Sequence, residues 1–195
     1  MKTNGTRERI LEAGLRTFSK KGYLGATTRE IAREAGIAEV TLFRHFPSKE
    51  KLFEEVISTH SFLPTLKGLL SEVSTMSFEA ALTLIALRFL DTLNLRKDMI
   101  RIMHSEMQRY PEKIHRIYHG FVDEVRDTLA SYFTDLQKEG VLRQFDATLG
   151  ARAFFGMFLS YFNAEEFLMR KKYRSTDVDE TIRQYIGIFV KGTIK

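Results

Sequence analysis

Apolar residues recur at intervals of three and four along nearly the whole chain, and no convincing two-residue alternation of a strand appears. Ile10, Leu11, Leu15 and Phe18 form the first apolar stripe. Thr6 is placed to cap its start, and Gly22, following Lys20 and Lys21, is placed to stop it. Thr27 to Glu30 reads TTRE, the spacing of a capping box, and opens a short helix that reaches Ala35. Gly36 supplies a left-handed turn, and a second short helix runs from Glu39 to Phe46. Two short helices joined by a few residues that include a glycine make the helix-turn-helix pattern.

After Pro47 and Ser48 a fourth helix begins near Lys49 and fades around Pro64. Further helices are predicted over 77–95, 98–109, 111–139, 146–172 and 178–192, with Pro111 suited to a first helical position and Gly140 to a stop. Within 111–139, Ile114, Tyr118, Phe121, Val125, Leu129, Tyr132 and Leu136 share one face, the face of a helix that packs on a core. The segment Gly150 to Met169 is apolar around most of its circumference and so calls for cover on two sides, one from the core and one from a partner chain. Gly150, Ala153 and Gly156 are small enough there to let a partner helix approach; a central helix of a monomer is the other reading. The expected fold class is all-α: an N-terminal three-helix helix-turn-helix domain and a larger C-terminal helical domain, about nine helices in all.

Charge sharpens this division. Residues 1–53 hold 11 of the 30 Lys and Arg and 6 of the 25 Asp and Glu, so their excess of +5 equals the net charge of the whole 195-residue chain. Residues 54–195 hold 19 of each sign. A basic head on a neutral body suits a polyanion-binding end, although a random surface excess would look the same. The boundary is placed after residue 53. With no cysteine, disulfides and thiolate metal sites are excluded. The opening MKTNGTRERI has no apolar run, so no secretory signal is expected, and the apolar stretch interrupted by Arg152 is too short for a membrane span. A soluble cytoplasmic protein is the expectation.

Hydroxyl, guanidinium, imidazole and ammonium groups crowd the second short helix and its flank, at Thr41, Arg44, His45 and Lys49. Across TTREIAREAGIAEVTLFRHFPSKEKLF, Thr27 to Phe53, the chain resembles the DNA-binding domain of the TetR/AcrR family of transcriptional regulators. The match is specific in the first quarter of the chain; the remainder is similar only in length and helical character. The resemblance implies a three-helix DNA-binding head, a helical body with a small-molecule pocket, and a homodimer formed by the last two helices. The implied role is a repressor released by a ligand from a palindromic operator in double-stranded DNA. Carried over position by position, the phosphate contacts are Thr27 or Thr28 at the start of the second helix, Thr41 and His45 on the recognition helix, and Lys49; Arg29, Glu39 and Arg44 complete the candidate DNA-binding residues. Ala38 stands where a capping serine is frequent, Glu39-Val40 where Lys-Gly is frequent, and Phe43 where a tyrosine is frequent. Ile31, Ala32, Ala35, Ile37, Leu42 and Phe46 supply the head's small core.

Each of these residues also has a plainer role available. Thr27 serves as a cap in any helix, Arg44 and Lys49 suit a solvated face, and His45 can pack beside Phe46. Glu39 suits the first turn of a helix through the helix dipole; alternatively it accepts a hydrogen bond from cytosine N4 in the major groove. The resemblance also implies an apolar effector pocket. Its candidates are Phe89, Leu93, Met103, His104 and Met107, followed by Tyr118, Phe121, Phe154, Phe158 and Phe162, all of which are equally at home in an ordinary core. Glu112, His115, His119 and Asp123 share a helix face with ligand-like spacing, but lie where solvent-facing residues belong, so no metal or other cofactor is expected. GxSxG, P-loop, HExxH and GxGxxG motifs are absent, which argues against an enzyme. The competing reading is a small-molecule-binding helical protein or enzyme with an incidental basic patch.

Overall fold

The computed structural model describes residues 5–168 and 177–195, and these are helical apart from short connections. Helix α1 (Thr6–Gly25) starts from Gly5, so the cap falls one residue ahead of Thr6, and no side chain closes it. At Gly22 φ is +70°, which breaks the regular helix after the two lysines; a last turn carries on to Gly25. The capping box of α2 (Thr28–Glu34) is complete: the Glu30 N–H donates to Thr27 Oγ1 at 3.2 Å, and the Thr27 N–H donates to Glu30 Oε2 at 3.4 Å. Gly36, at φ +67°, turns the chain into α3 (Glu39–His45). Ser48 then caps α4 (Lys49–His60) by accepting from the Lys51 N–H at 3.2 Å.

Pro64 does not mark the fading end of α4. That helix stops at His60, and Pro64 sits in the first turn of α5 (Leu63–Glu72), where its missing N–H would have had no partner. The sequence pattern gave no helix there. The remaining helices are α6 (Phe78–Leu95), α7 (Lys97–Glu106), α8 (Glu112–Lys138), α9 (Ala147–Asn163) and α10 (Val178–Thr193). A 3-10 turn, Met107–Arg109, completes the segment expected over 98–109, and a π-turn, Ala164–Leu168, continues α9. The end of the helix expected over 146–172 lies outside the described residues from 169 onward. Among the described residues the single strand-like pairing is the bridge Leu142–Ile194.

Two compact units emerge from the packing. The first joins the residues up to Ser61 with Arg96–Phe121; the second joins Phe62–Leu95 with Val122–Lys195. The boundary placed after residue 53 thus falls inside α4, and the compact unit that carries the helix-turn-helix also takes in α7 and the start of α8. Its core contains the expected Ile31, Ala32, Ala35, Leu42 and Phe46, with Ile37 packed against it, but also Met99, Met103, Tyr110 and Ile114. Phe18 and Phe53 meet edge to face at 5.0 Å, and Tyr23 meets Phe53 at the same distance. Each such buried side chain stabilises the unit by about 1.5–3 kcal/mol.

In the second unit Phe133, Phe154 and Phe158 are fully buried, and Phe189 of α10 lies 5.6 Å from Phe133 and 5.4 Å from Phe154. On α8 the buried positions run Val125, Leu129, Ala130 and Phe133, while Tyr132 and Leu136 are only half-buried. Phe133 therefore takes the core place that the periodicity assigned to Tyr132.

Candidate nucleic-acid interface

The candidate interface comprises the N-terminal end of α2, the whole of α3 and the first turn of α4. Thr27 is exposed, but its hydroxyl oxygen already serves the capping box. Thr28 does not stand free either: its hydroxyl donates to Glu39 Oε1 at 2.6 Å, tying the first turn of α2 to the first turn of α3. Spacing along the sequence could not reveal this bond, because it joins residues on two helices. It gives Glu39 a fixed place at the front of the recognition helix, where Ala38 contributes no side-chain cap.

Between the two helices lies a concavity of about 500 Å³, lined by Arg29, Glu30, Ala32, Arg33, Ile37 and Glu39. Arg29, Arg33 and Arg44 are exposed and form no ion pair among the described residues. Arg33 was not singled out in the sequence; its place on the groove wall is a tertiary fact. His45 is exposed, 6.5 Å from the Phe46 ring and inclined to it at 41°, so it does not pack flat on that ring. Thr41 is half-buried, and Val40 and Phe43 are 69% and 42% exposed, an unusual apolar showing on a short helix that also carries Arg44 and His45. Lys49 is half-buried, its ammonium 4.4 Å from the centre of the Tyr23 ring.

Two acidic residues of α2 are neutralised locally. Glu30 pairs with Lys21 and Glu34 with Arg16, both at 2.6 Å, and Thr17 Oγ1 donates to Glu34 at 3.1 Å. These partners hold both carboxyls below their ordinary value of 4.5; for Glu34 the bond from Arg16 is the main cause, and for Glu30 the bond from Lys21. A carboxylate whose folded pKa is depressed adds stability that is present above its unfolded pKa and is lost as pH falls through the folded value. Acidification from pH 6 into that window should therefore lower the melting temperature, and Glu34→Gln should flatten the drop. An unchanged acid profile in the variant would rule out this pair as a contributor.

The other predicted residues fall in both units. Phe89, Leu93, Phe154, Phe158 and Phe162 are buried in the second. In the first, Met103 belongs to the core, Met107, Tyr118 and Phe121 pack against it, and His104 is exposed. On α9, Gly150 is covered by the Phe145 ring, whereas Ala153 and Gly156 are exposed. His115 and His119 stack at 6.3 Å, and no metal-binding group of three or more His, Asp or Glu is found among the described residues.

Comparison with known proteins bears directly on this arrangement. Residues 10–56 match the family model of bacterial regulatory proteins of the tetR family, and residues 80–192 match that of the AefR-like transcriptional repressor C-terminal domain. The chain belongs to the TetR family. It is similar to the uncharacterized HTH-type transcriptional regulator YvkB of Bacillus subtilis (strain 168), with 28% identity over 96% of each chain. It is also similar to the HTH-type transcriptional repressor KstR2 of Rhodococcus jostii (strain RHA1), with 23% identity over 97% of this chain and 91% of that one. A solved structure from Mesorhizobium loti MAFF303099 shares the fold with a TM-score of 0.78 at 24% identity, covering all of both chains. As a TetR-family protein the chain is a ligand-responsive, DNA-binding transcriptional regulator. No described helix is long and apolar enough to cross a membrane.

Proposed function

We propose that this chain is a cytoplasmic, homodimeric repressor that holds a palindromic operator until a small apolar or amphipathic molecule releases it. The observation that carries the reading is the groove between α2 and α3. Arg29 and Arg33, unpaired among the described residues, and a fixed glutamate meet there, with Arg44 exposed on α3, in the part of the chain that holds all the excess positive charge. The arginines with Thr41, His45 and Lys49 hold phosphates, and the front of α3 reads base edges. Buried Phe89, Leu93, Phe154, Phe158 and Phe162 supply the apolar surroundings of the effector in the second unit. Dimerisation is supported by the exposed apolar side chains of α9 and α10: Leu149 at 60%, Leu159 at 36% and Ile188 at 64% exposure.

Mobility shift with genomic fragments at moderate salt tests the reading. A few fragments should be retained against competitor DNA, and a compound that raises the melting temperature should release them. Uniform retention, or none, would favour a helical binding protein with an incidental basic patch.

Glu39 gives the sharper prediction. A carboxylate cannot hold a phosphate, but it accepts from cytosine N4 and repels the backbone wherever that base is missing. Thr28 occupies one of its oxygens, which fixes the direction of the other. Glu39→Ala should tighten non-specific binding and remove about 1–3 kcal/mol of discrimination at one base pair per half-site. Thr28→Val should blur the same position and leave the others intact. If Glu39→Ala tightens binding to every sequence in a base-by-base panel equally, Glu39 reads nothing and only starts the helix.

A further inference from the structure

Helix α3 turns one face to the protein and one away from it. Leu42 is fully buried and Phe46 is 2% exposed, which fixes the inner face. A helix turns by about 100° per residue, so Val40 and Arg44, one turn apart, share the opposite face. Val40 is 69% exposed there and belongs to no core. A branched valine is also a poorer helix former than alanine or lysine. Helix α3 has seven residues and no side-chain cap, so neither packing nor helix formation accounts for this valine. Singly exposed apolar side chains are ordinary on protein surfaces. Val40, however, sits near the front of the helix that a helix-turn-helix regulator lays in the major groove.

Its position and its stiffness suit it to a contact. The residue before it is tied down, because the Thr28 hydroxyl donates to Glu39 Oε1 at 2.6 Å. Two methyl groups on Cβ leave valine one strongly preferred rotamer in a helix, so little side-chain entropy is lost when they meet a target. The apolar group that base edges offer in the major groove is the C5 methyl of thymine. Adjacent Cα atoms lie about 3.8 Å apart, close to the rise of about 3.4 Å between base pairs. Val40 therefore falls on the base pair next to the one that Glu39 faces. Phe43 is 42% exposed, but it stands further from the N-terminal end, whose residues reach base edges.

We infer, on the reading that the front of α3 meets base edges, that Val40 is a specificity-determining residue: its methyl groups close on a thymine methyl one base pair from the C·G pair of Glu39. Unmodified cytosine, adenine and guanine carry no such methyl, and each would leave Val40 against a polar edge.

The test replaces the thymines of a retained genomic fragment by uracil, one symmetric pair at a time. Uracil lacks the C5 methyl and keeps the same hydrogen-bonding edge. The full-length wild type, Val40→Ser, Val40→Ile and Phe43→Ser are titrated against each duplex. Serine matches valine in helix propensity, and the site is exposed, so Val40→Ser should keep the wild-type melting temperature. The wild type should lose affinity at one thymine next to the C·G pair, by about fourfold per half-site, the worth of one buried methyl. Val40→Ser should bind the thymine and uracil duplexes equally, and Val40→Ile should keep the preference. Specific binding with no sensitive thymine would overturn the inference. So would a preference that survives in Val40→Ser, whether or not Phe43→Ser abolishes it. If the wild type binds a random duplex as tightly as the unmodified fragment, base reading by α3 fails before any uracil is introduced.

Discussion

Raising salt from 50 to 200 mM is expected to weaken operator binding by about 10³- to 10⁵-fold if the dimer neutralises six to ten phosphates. The proposed contact surface uses four cations per protomer for this purpose. Arg29, Arg33 and Arg44 are exposed and unpaired among the described residues, and Lys49 heads α4. Four other basic residues of the head are engaged with carboxylates: Lys21 with Glu30, Arg16 with Glu34, Arg7 with Glu55 and Lys51 with Glu54. Eight cations in a dimer correspond to a slope of about −7 in log affinity against log salt, at about −0.9 for each phosphate. Lys49→Ala should weaken all sequences alike and make the slope shallower by about two per dimer. Thr41→Ala should weaken them alike without changing the slope, because a hydroxyl releases no counterion. Binding that is flat with salt would remove phosphate contacts from the account.

The second large effect concerns assembly. Gly156 is exposed on α9, and a Cβ there would meet nothing within 4 Å, so a substitution starts into open space. In a two-fold dimer each substituted residue recurs on the partner, which brings like charges together where Leu149, Leu159 and Ile188 need apolar cover. Gly156→Arg should therefore yield a folded monomer. Losing the second half-site removes an intramolecular binding step, whose effective concentration is worth about 10²–10⁴ in affinity. Sedimentation and DNA titration of the same sample should show both losses together. A wild type that sediments as a monomer at micromolar concentration would contradict the dimer. A monomeric variant with unchanged affinity would separate dimerisation from DNA binding.

Local features of the chain were legible in the sequence because they depend on near neighbours. The capping box at Thr27, the left-handed Gly36, the limits of α3 and the start of α4 are set by residues within a turn of one another. The long α6, α8 and α10 announce themselves by their period. What stayed hidden depends on tertiary pairing. Helix α5 was missed because Pro64 signals a break and a first turn with equal force. The packing of Met99, Met103, Tyr110 and Ile114 into the head joins residues far apart in the chain. So do the bond from Thr28 to Glu39 and the Glu106 carboxyl against Gly22. The candidate DNA-facing residues were named by type and motif; their partners within the chain became visible only in three dimensions.

The central claim is sequence-specific recognition of duplex DNA by a two-fold dimer. The most direct measurement is repeated selection from a pool of randomised duplexes with the purified full-length protein, followed by sequencing. The account predicts enrichment of an inverted repeat whose half-sites are spaced for one recognition helix each, with a C·G pair that Glu39→Ala ceases to select. A pool that remains random after several rounds, with binding present at low salt only, would contradict it.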